Sequence, residues 1–179
     1  MSSSASPGSA DGVAGEASPA TVRRWTVVLP VAALVLVLDQ LSKWWAVERL
    51  RGAEPIDVVW TLRLNYAENT GMAFSAGANR GWLIGIVATG IVVALLVVSR
   101  RVTSRLQLVL IGVVVGGALG NVLDRVFRAE NGFMSGAVVD FIDLQWWPIF
   151  NVADAAVVVG GILLAVTMVL EPDGAAGSG

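Results

Sequence analysis

Four long apolar stretches dominate the hydrophobic pattern of the chain, and they lie near residues 25–46, 81–99, 106–126 and 151–170. A helix of about 20 apolar residues is long enough to cross the hydrocarbon core of a bilayer. We therefore predict four transmembrane helices within a membrane domain that covers residues 23–171. The flanking segments, 1–22 and 172–179, are made mostly of small and polar residues and are predicted to be disordered tails.

Two longer connections, near residues 47–80 and 127–150, join the first span to the second and the third to the fourth. Residues 58–66 (VVWTLRLNY) alternate partly between apolar and polar positions and are rich in β-branched and aromatic side chains, which predicts a strand. Turn-forming residues follow, namely Asn69, Gly71, Gly77 and Asn79. The expected fold is an all-α membrane protein with four transmembrane helices and a small sheet near residues 55–78.

The basic residues at the span ends predict the orientation of the chain. Arg23 and Arg24 precede the first span, and the short link between the second and third spans contains Arg100, Arg101 and Arg105. Lysine and arginine are enriched in cytoplasmic loops. We therefore expect a multi-pass membrane protein whose termini are both cytoplasmic and whose two longer connections are extracytoplasmic.

Tryptophans and glycines mark the helix ends and one helix face. Five tryptophans fall at predicted outer boundaries (Trp44, Trp45, Trp82, Trp146 and Trp147), where their rings suit the membrane interface. The third span carries Gly112, Gly116 and Gly120 at four-residue spacing. Small residues at this spacing let another helix approach closely, so packing accounts for this face without any chemistry.

Composition narrows the possible chemistry. The chain is 55% hydrophobic and has a mean hydropathy of +0.72, a net charge of −2, and neither cysteine nor histidine. The absence of these two residue types excludes disulfides, Cys/His zinc sites and catalysis through thiolate or imidazole. We expect no metal or cofactor, and the lack of a basic patch indicates no nucleic-acid partner.

Polar residues from three spans fall into one layer just below the predicted outer surface. At a rise of about 1.5 Å per residue, Asp39, Asn121 and Asp154 all lie roughly 22–25 Å from the cytoplasmic boundary. Asp124 and Arg125 lie nearer to 30 Å by the same estimate. A charge inside the membrane costs at least about 2.5–3.5 kcal/mol, so these groups require either mutual pairing or a function. Pairing is available within each helix, between Asp39 and Lys43 and among Asn121, Asp124 and Arg125.

Asp154 has no cation near it on its own helix. One explanation is capping, with Asn151 as N-cap and Asp154 three residues later. The other explanation is catalysis together with a second carboxylate from the preceding outer loop, where Asp140 and Asp143 are equal candidates. Two adjacent carboxyl groups share one proton, so one acts as a base toward water and the other as an acid. Asn121 and Asn151 can hold such carboxylates or a developing oxyanion by hydrogen bonds.

Five ordered motifs resemble the signature blocks of bacterial lipoprotein signal peptidase, also called signal peptidase II. They are DQLSK (39–43), NTGMAFS (69–75), GGALGNVLDR (116–125), VVDF (138–141) and FNVAD (150–154). The resemblance implies a membrane-embedded aspartic endopeptidase that removes signal peptides from diacylglyceryl-modified prolipoproteins, cleaving just before the lipidated cysteine. It also implies an extracytoplasmic β-cradle, an active site near the outer face of the bacterial cytoplasmic membrane and sensitivity to globomycin.

The resemblance assigns the residues of the site. The catalytic pair matches Asp140 and Asp154, which decides against Asp143. The positions that support this pair, shape the substrate groove or bind globomycin match Asp39, Lys43, Asn69, Gly71, Asn121, Asp124, Arg125 and Asn151. The expected partners are lipid-modified prolipoproteins and membrane lipid, and the expected state is a monomer.

Three other functions compete with this interpretation. A transporter or channel would use buried charges as an ion path, but such groups usually lie near the midplane of the membrane. A Ser/Lys hydrolase would need a serine beside Lys43, and Ser42 does not share its helix face. A scaffold without catalytic activity would leave the polar layer without an explanation.

Overall fold

Four membrane-length helices form the body of the protein, as predicted. The computed structural model describes residues 19–71, 81–129 and 132–170, with side chains from Arg24 onward. The helices are α1 (Pro19–Leu50), α2 (Gly81–Val98), α3 (Arg105–Phe127) and α4 (Val152–Leu170). Each is long and apolar enough to cross a membrane, which confirms the predicted number of spans.

Helix α1 is longer than its apolar stretch. It begins at Pro19, so residues 19–22, which we assigned to the disordered tail, are helical. Proline is well tolerated in the first turn of a helix, and apolarity alone does not detect that turn. At its other end α1 continues to Leu50 because Ala46 and Leu50 are buried in a cluster with Val139. The rest of the predicted tails, residues 1–18 and 172–179, lies outside the described residues.

A three-stranded antiparallel sheet of order β1-β2-β3 lies at the C-terminal end of α1, and it differs from the predicted strand in two respects. Residues 58–66 do not form one strand, because a two-residue turn at Trp60 and Thr61 separates β1 (Ile56–Val59) from β2 (Leu62–Asn69). The third strand, β3 (Val138–Asp143), comes from a segment that we interpreted as a loop. The remainder of the predicted sheet region, residues 72–78, lies outside the described residues, as do Gly77 and Asn79.

Helix α3 is the centre of the bundle. Its most apolar window is 61% buried, whereas the corresponding windows of the other three helices are 17% buried. It packs against α1, α2 and α4, while α2 has no other helix as a neighbour in the described ranges. A Cβ atom added to Gly116 would lie 2.5 Å from the carbonyl oxygen of Ala32 on α1. The predicted close approach of another helix to this glycine face is therefore confirmed.

The glycine face gives a prediction about stability. Gly116→Ala is expected to destabilise the protein by about 1–3 kcal/mol, because the added methyl group overpacks the contact between α1 and α3. The control is Gly90→Ala on α2, where an added Cβ meets nothing within 4 Å. There alanine is expected to leave stability unchanged or to raise it by up to about 1 kcal/mol. Thermal unfolding in detergent measures both effects, and equal melting temperatures would contradict the packing argument.

Candidate active site

Asp140 lies in the middle of β3, and its side chain is buried. Its Oδ1 accepts a hydrogen bond of 2.6 Å from Asn151 Nδ2, and its Oδ2 accepts one of 3.0 Å from Asn69 Nδ2. Asn69 is the last residue of β2, and its Oδ1 accepts from the backbone N–H of Gly71 at 2.9 Å. Gly71 has a φ of +85°, a conformation that favours glycine. Asn151 and Asn69 together hold both carboxylate oxygens of Asp140.

Asp154 lies in the first turn of α4, where it forms the capping arrangement that we predicted. Its backbone N–H donates to Asn151 Oδ1 at 2.9 Å, and its Oδ2 accepts from the Asn151 N–H at 3.2 Å. This is a reciprocal capping box. The other carboxylate oxygen, Oδ1, accepts from Asn121 Nδ2 at 2.7 Å. Capping and membership of a polar site are therefore compatible roles, not alternatives.

Asn151 connects the two aspartates directly. Its side-chain Nδ2 donates to Asp140, and its backbone N–H donates to Asp154. The same Nδ2 also lies 3.2 Å from Asn121 Oδ1. Asn151 is fully buried, so few alternative positions are open to it. The carboxylates of Asp140 on β3 and Asp154 on α4 thus both accept hydrogen bonds from Asn151.

A buried lysine, Lys43, contacts Asn121, the residue that donates to Asp154. Lys43 Nζ lies 2.8 Å from Asp39 Oδ2 and 2.9 Å from Asp124 Oδ2, and it donates to Asn121 Oδ1 at 2.9 Å. The side chain of Lys43 is 0% exposed. The neighbouring Ser42 hydroxyl donates instead to the backbone carbonyl of Asp39 at 2.8 Å. Lys43 is therefore engaged by carboxylates and is not arranged to activate Ser42.

The pairing of charges differs partly from expectation. The pair between Asp39 and Lys43 on α1 is present as predicted. Asp124, however, pairs with Lys43 on α1 and with Arg128 at 3.2 Å, and not with Arg125. The lysine reaches Asp124 because the glycine face brings α1 and α3 close together. Arg125 is buried, and its Nη1 has no hydrogen-bond partner among the described residues.

Asp143 belongs to a different cluster. Its Oδ2 lies 2.7 Å from Arg63 Nε and accepts a hydrogen bond from Asn65, while its Oδ1 accepts from the backbone N–H of Gln145. Burial opposes ionisation of this carboxyl, but the three donors outweigh it and lower its pKa. Asp140 and Asp143 were equal candidates on the residues alone. The structure joins only Asp140 to Asp154 through Asn151.

The environment of Asp140 makes this carboxyl group harder to ionise than an ordinary aspartate. Burial, followed by the nearby charge of Asp154, raises the pKa of Asp140 to about 6, although the hydrogen bonds from Asn69 and Asn151 act in the opposite direction.

Within the described ranges, no group of three or more acidic side chains could hold a metal ion.

Gln40 is a member of the polar cluster that sequence analysis did not single out. Its Nε2 lies 3.1 Å from Asp39 Oδ2 and donates to the Gly120 carbonyl oxygen at 3.2 Å, so it ties α1 to α3. Its position beside Asp39 in the DQLSK motif was the available signal. A polar side chain next to a buried aspartate in an apolar helix needs a partner of its own.

A cavity of about 250 Å³ is lined by Asp154 and by Asn69, the residue that donates to Asp140, although Asp140 itself is not in its wall. Its polar end is formed by Asn69, Asn121, Arg125 and Asp154. The rest of the wall is mostly apolar and comes mainly from α2 and α4, including Ile84, Ala88, Ile91, Val157 and Val158. Both helices pack against α3 but not against each other in the described part of the chain, so the cavity lies in the gap between them. The site can therefore receive a largely apolar ligand that carries a polar group at one end.

Curated relatives of the chain are lipoprotein signal peptidases. The protein of Mycobacterium tuberculosis (strain ATCC 25618 / H37Rv) is 41% identical over 168 residues, which cover 90% of this chain and 81% of the relative. The protein of Rhodococcus jostii (strain RHA1) is 42% identical over 159 residues, which cover 87% of this chain and 80% of the relative.

Solved structures also have a fold similar to that of this chain. Two structures described as a bacterial membrane enzyme, determined by the in meso method, superpose with TM-scores of 0.67 and 0.65 at 26% identity. They cover 79% and 80% of this chain and 91% and 88% of the matched chains, respectively. Residues 31–170 also match the family model described as signal peptidase (SPase) II. The chain is therefore a membrane peptidase that belongs to the signal peptidase II family.

Proposed function

We propose that this protein cleaves signal peptides from diacylglyceryl-modified prolipoproteins, just before the lipidated cysteine, by using Asp140 and Asp154 to activate water. The observation that carries the proposal is the bridge through Asn151, which donates hydrogen bonds to both carboxylates. Two carboxylates held this way cannot both ionise cheaply, so the pair retains one proton. The raised pKa of Asp140 supports this sharing.

The reaction then needs only the two carboxyl groups and one water molecule. The ionised carboxylate takes a proton from the water, and the water oxygen forms a bond to the scissile carbonyl carbon. The π electron pair of the carbonyl group moves onto its oxygen, and it re-forms the C=O bond as the amine leaves. When the carbon–nitrogen bond breaks, the protonated carboxyl gives its proton to the leaving amine. The two carboxyl groups act as a unit, so the mechanism assigns the proton to the pair and not to one residue.

The surrounding residues support the pair in distinct ways. Asn69, Asn121 and Asn151 donate to carboxylate oxygens and hold them in position. Lys43 accounts for the orientation of Asn121, because its ammonium group occupies the amide oxygen and leaves the amide nitrogen for Asp154. Arg125 also lines the cavity, where its guanidinium group would supply a positive charge to a carbonyl oxygen of the substrate.

The cavity suits a substrate that approaches from within the membrane. Its walls on α2 and α4 are apolar, as a signal-peptide helix is, and its polar residues include Asp154 of the pair. Entry between α2 and α4 would deliver the peptide bond to the pair without removing the apolar segment from lipid. The arginine-rich link between α2 and α3 supports cytoplasmic termini and an active site near the outer face. We further propose that the enzyme acts as a monomer and contacts membrane lipid and prolipoproteins, but not nucleic acid.

Replacing either aspartate tests the mechanism. Asp140→Asn and Asp154→Asn are each expected to lower the rate of cleavage by about 10²–10⁴-fold, because each removes one proton-transfer group. The assay is cleavage of a diacylglyceryl-modified prolipoprotein by purified variants in detergent. Asp143→Asn is the matched control and should retain activity, because Asp143 is bound to Arg63 outside the pair.

Two results would contradict the mechanism. The first is retained cleavage by a folded Asp140→Asn or Asp154→Asn variant, with folding checked by thermal unfolding. The second is an Asp143→Asn variant that stays folded but loses activity to the same extent as the other two.

The pKa of Asp140 gives an expected pH dependence. Below about pH 6 the pair keeps the shared proton, and above that pH it progressively loses the proton. Because the mechanism needs one protonated carboxyl, kcat/KM is expected to fall with rising pH above about 6, by about tenfold per unit in the limit. A pH profile of cleavage measures this effect, and Asp143→Asn should leave its shape unchanged. A flat profile from pH 6 to 9 would be inconsistent with proton sharing at Asp140.

A further inference from the structure

The tip of the β1-β2 hairpin is strongly apolar and exposed. Trp60 is 93% exposed and the adjacent Val59 is 66% exposed, while Ile56 and Val58 are exposed on the same short strand. Sequence analysis did not include Trp60 among the tryptophans at membrane boundaries. A large aromatic side chain presented this openly, next to other apolar residues, indicates an interaction surface.

The backbone at this tip disfavours tryptophan. Trp60 and Thr61 form the two-residue turn between the paired residues Val59 and Leu62, and Trp60 has a φ of 51°. This left-handed conformation suits glycine or asparagine in a hairpin turn and is strained for a bulky side chain. Local folding therefore does not explain the tryptophan, and strain of this kind is kept where the side chain serves another purpose.

A hydrogen bond joins the tip of the hairpin to the loop that precedes the N-terminus of α4. Gln145 Nε2 donates to the carbonyl oxygen of Thr61 at 3.0 Å. Gln145 is followed by Trp146 and Trp147, whose rings meet edge to face at 6.3 Å and are 67% and 59% exposed. These residues directly precede the segment that begins α4, a membrane-length helix. The exposed tryptophans of both loops thus lie at one end of the helix bundle.

We propose that Val59, Trp60, Trp146 and Trp147, here called the tryptophan rim, insert into the interfacial layer of the bilayer on the side of the sheet. Tryptophan combines a large apolar ring with an N–H donor and is enriched where lipid tails meet head groups. Lipid is the occupant that fits, because the rim continues the lipid-facing surface at the end of α4. The proposal rests on the chain crossing the membrane and not on the chemistry of Asp140.

Insertion of the rim would fix the height of the catalytic sheet. The hairpin that carries Val59 and Trp60 belongs to the same sheet as β3, since β1 pairs with β2 and β2 pairs with β3. Asp140 lies on β3. Anchoring the hairpin tip in the interface therefore sets the position of that carboxyl relative to the membrane surface, in addition to the packing of the sheet on α1.

The absence of cysteine allows a direct test. Val59→Cys gives a single position for a nitroxide label next to an unchanged Trp60, and Glu54→Cys gives an exposed control between α1 and β1. Each labelled protein is reconstituted in vesicles of phosphatidylethanolamine and phosphatidylglycerol. The measured quantity is the accessibility of the label to oxygen, which partitions into lipid, relative to a nickel chelate, which stays in water.

We expect the oxygen-to-chelate ratio at position 59 to exceed that at position 54 several-fold. Adding Trp60→Gly to the Val59→Cys protein should abolish the difference while leaving thermal stability in detergent unchanged or higher, because glycine suits the turn. Equal ratios at positions 59 and 54 would overturn the proposal. So would an unchanged ratio after Trp60→Gly, or a lower stability, which would make Trp60 a packing residue. Shielding that appears only at high protein-to-lipid ratios would assign the surface to a second copy of the chain and also overturn the proposal.

Discussion

The rest of the site depends on the ion pairs that the buried ammonium group of Lys43 makes with Asp39 and Asp124. This lysine comes from α1, and it contacts Asp124 and Asn121 on α3 as well as Asp39 on its own helix. Asp39 in turn accepts a hydrogen bond of 2.9 Å from the backbone N–H of Ala153 at the start of α4. One cation thus connects three helices. Losing it would leave Asp39 without a cation and Asp124 with only Arg128 as a cation, and breaking a buried ion pair typically costs about 3–5 kcal/mol.

Close packing of the helices is what makes this network possible. Gly116 brings the backbones of α1 and α3 together, and Gly117 does the same for α3 and α4, where an added Cβ would lie 2.6 Å from the Ala153 carbonyl oxygen. Larger residues at these positions would separate the helices and lengthen the hydrogen bonds among Lys43, Asn121 and Asp154. The glycine face, which by itself has only a packing role, therefore sets the geometry of the polar residues above it.

Sequence reasoning predicted the parts of the molecule that obey a single local rule. The membrane spans followed from apolar length, and the cap between Asn151 and Asp154 followed from spacing. It missed β3 because VVDFID is buried on both faces and lacks the alternation that marks a half-exposed strand. It also missed the turn at Trp60, because tryptophan is uncommon in a left-handed conformation. The link between Lys43 and Asp124 depends on contact between helices, which no spacing within one helix contains.

The position of α2 implies that, under the proposed function, the fit of the substrate and the reaction at the aspartates depend on different elements of the fold. This helix forms one wall of the cavity but touches only α3 among the described helices, whereas Asn151 and the residues that hold the carboxylates are fixed by several elements. Substitutions on the cavity face of α2 can therefore change which apolar segments fit without disturbing the aspartates. An inhibitor that derives its affinity from that wall would lose it through such substitutions at little cost to the enzyme. Under the proposed mechanism, an inhibitor that binds mainly to Asn69, Asn151 and the two carboxylates would leave few substitutions that both weaken its binding and preserve activity.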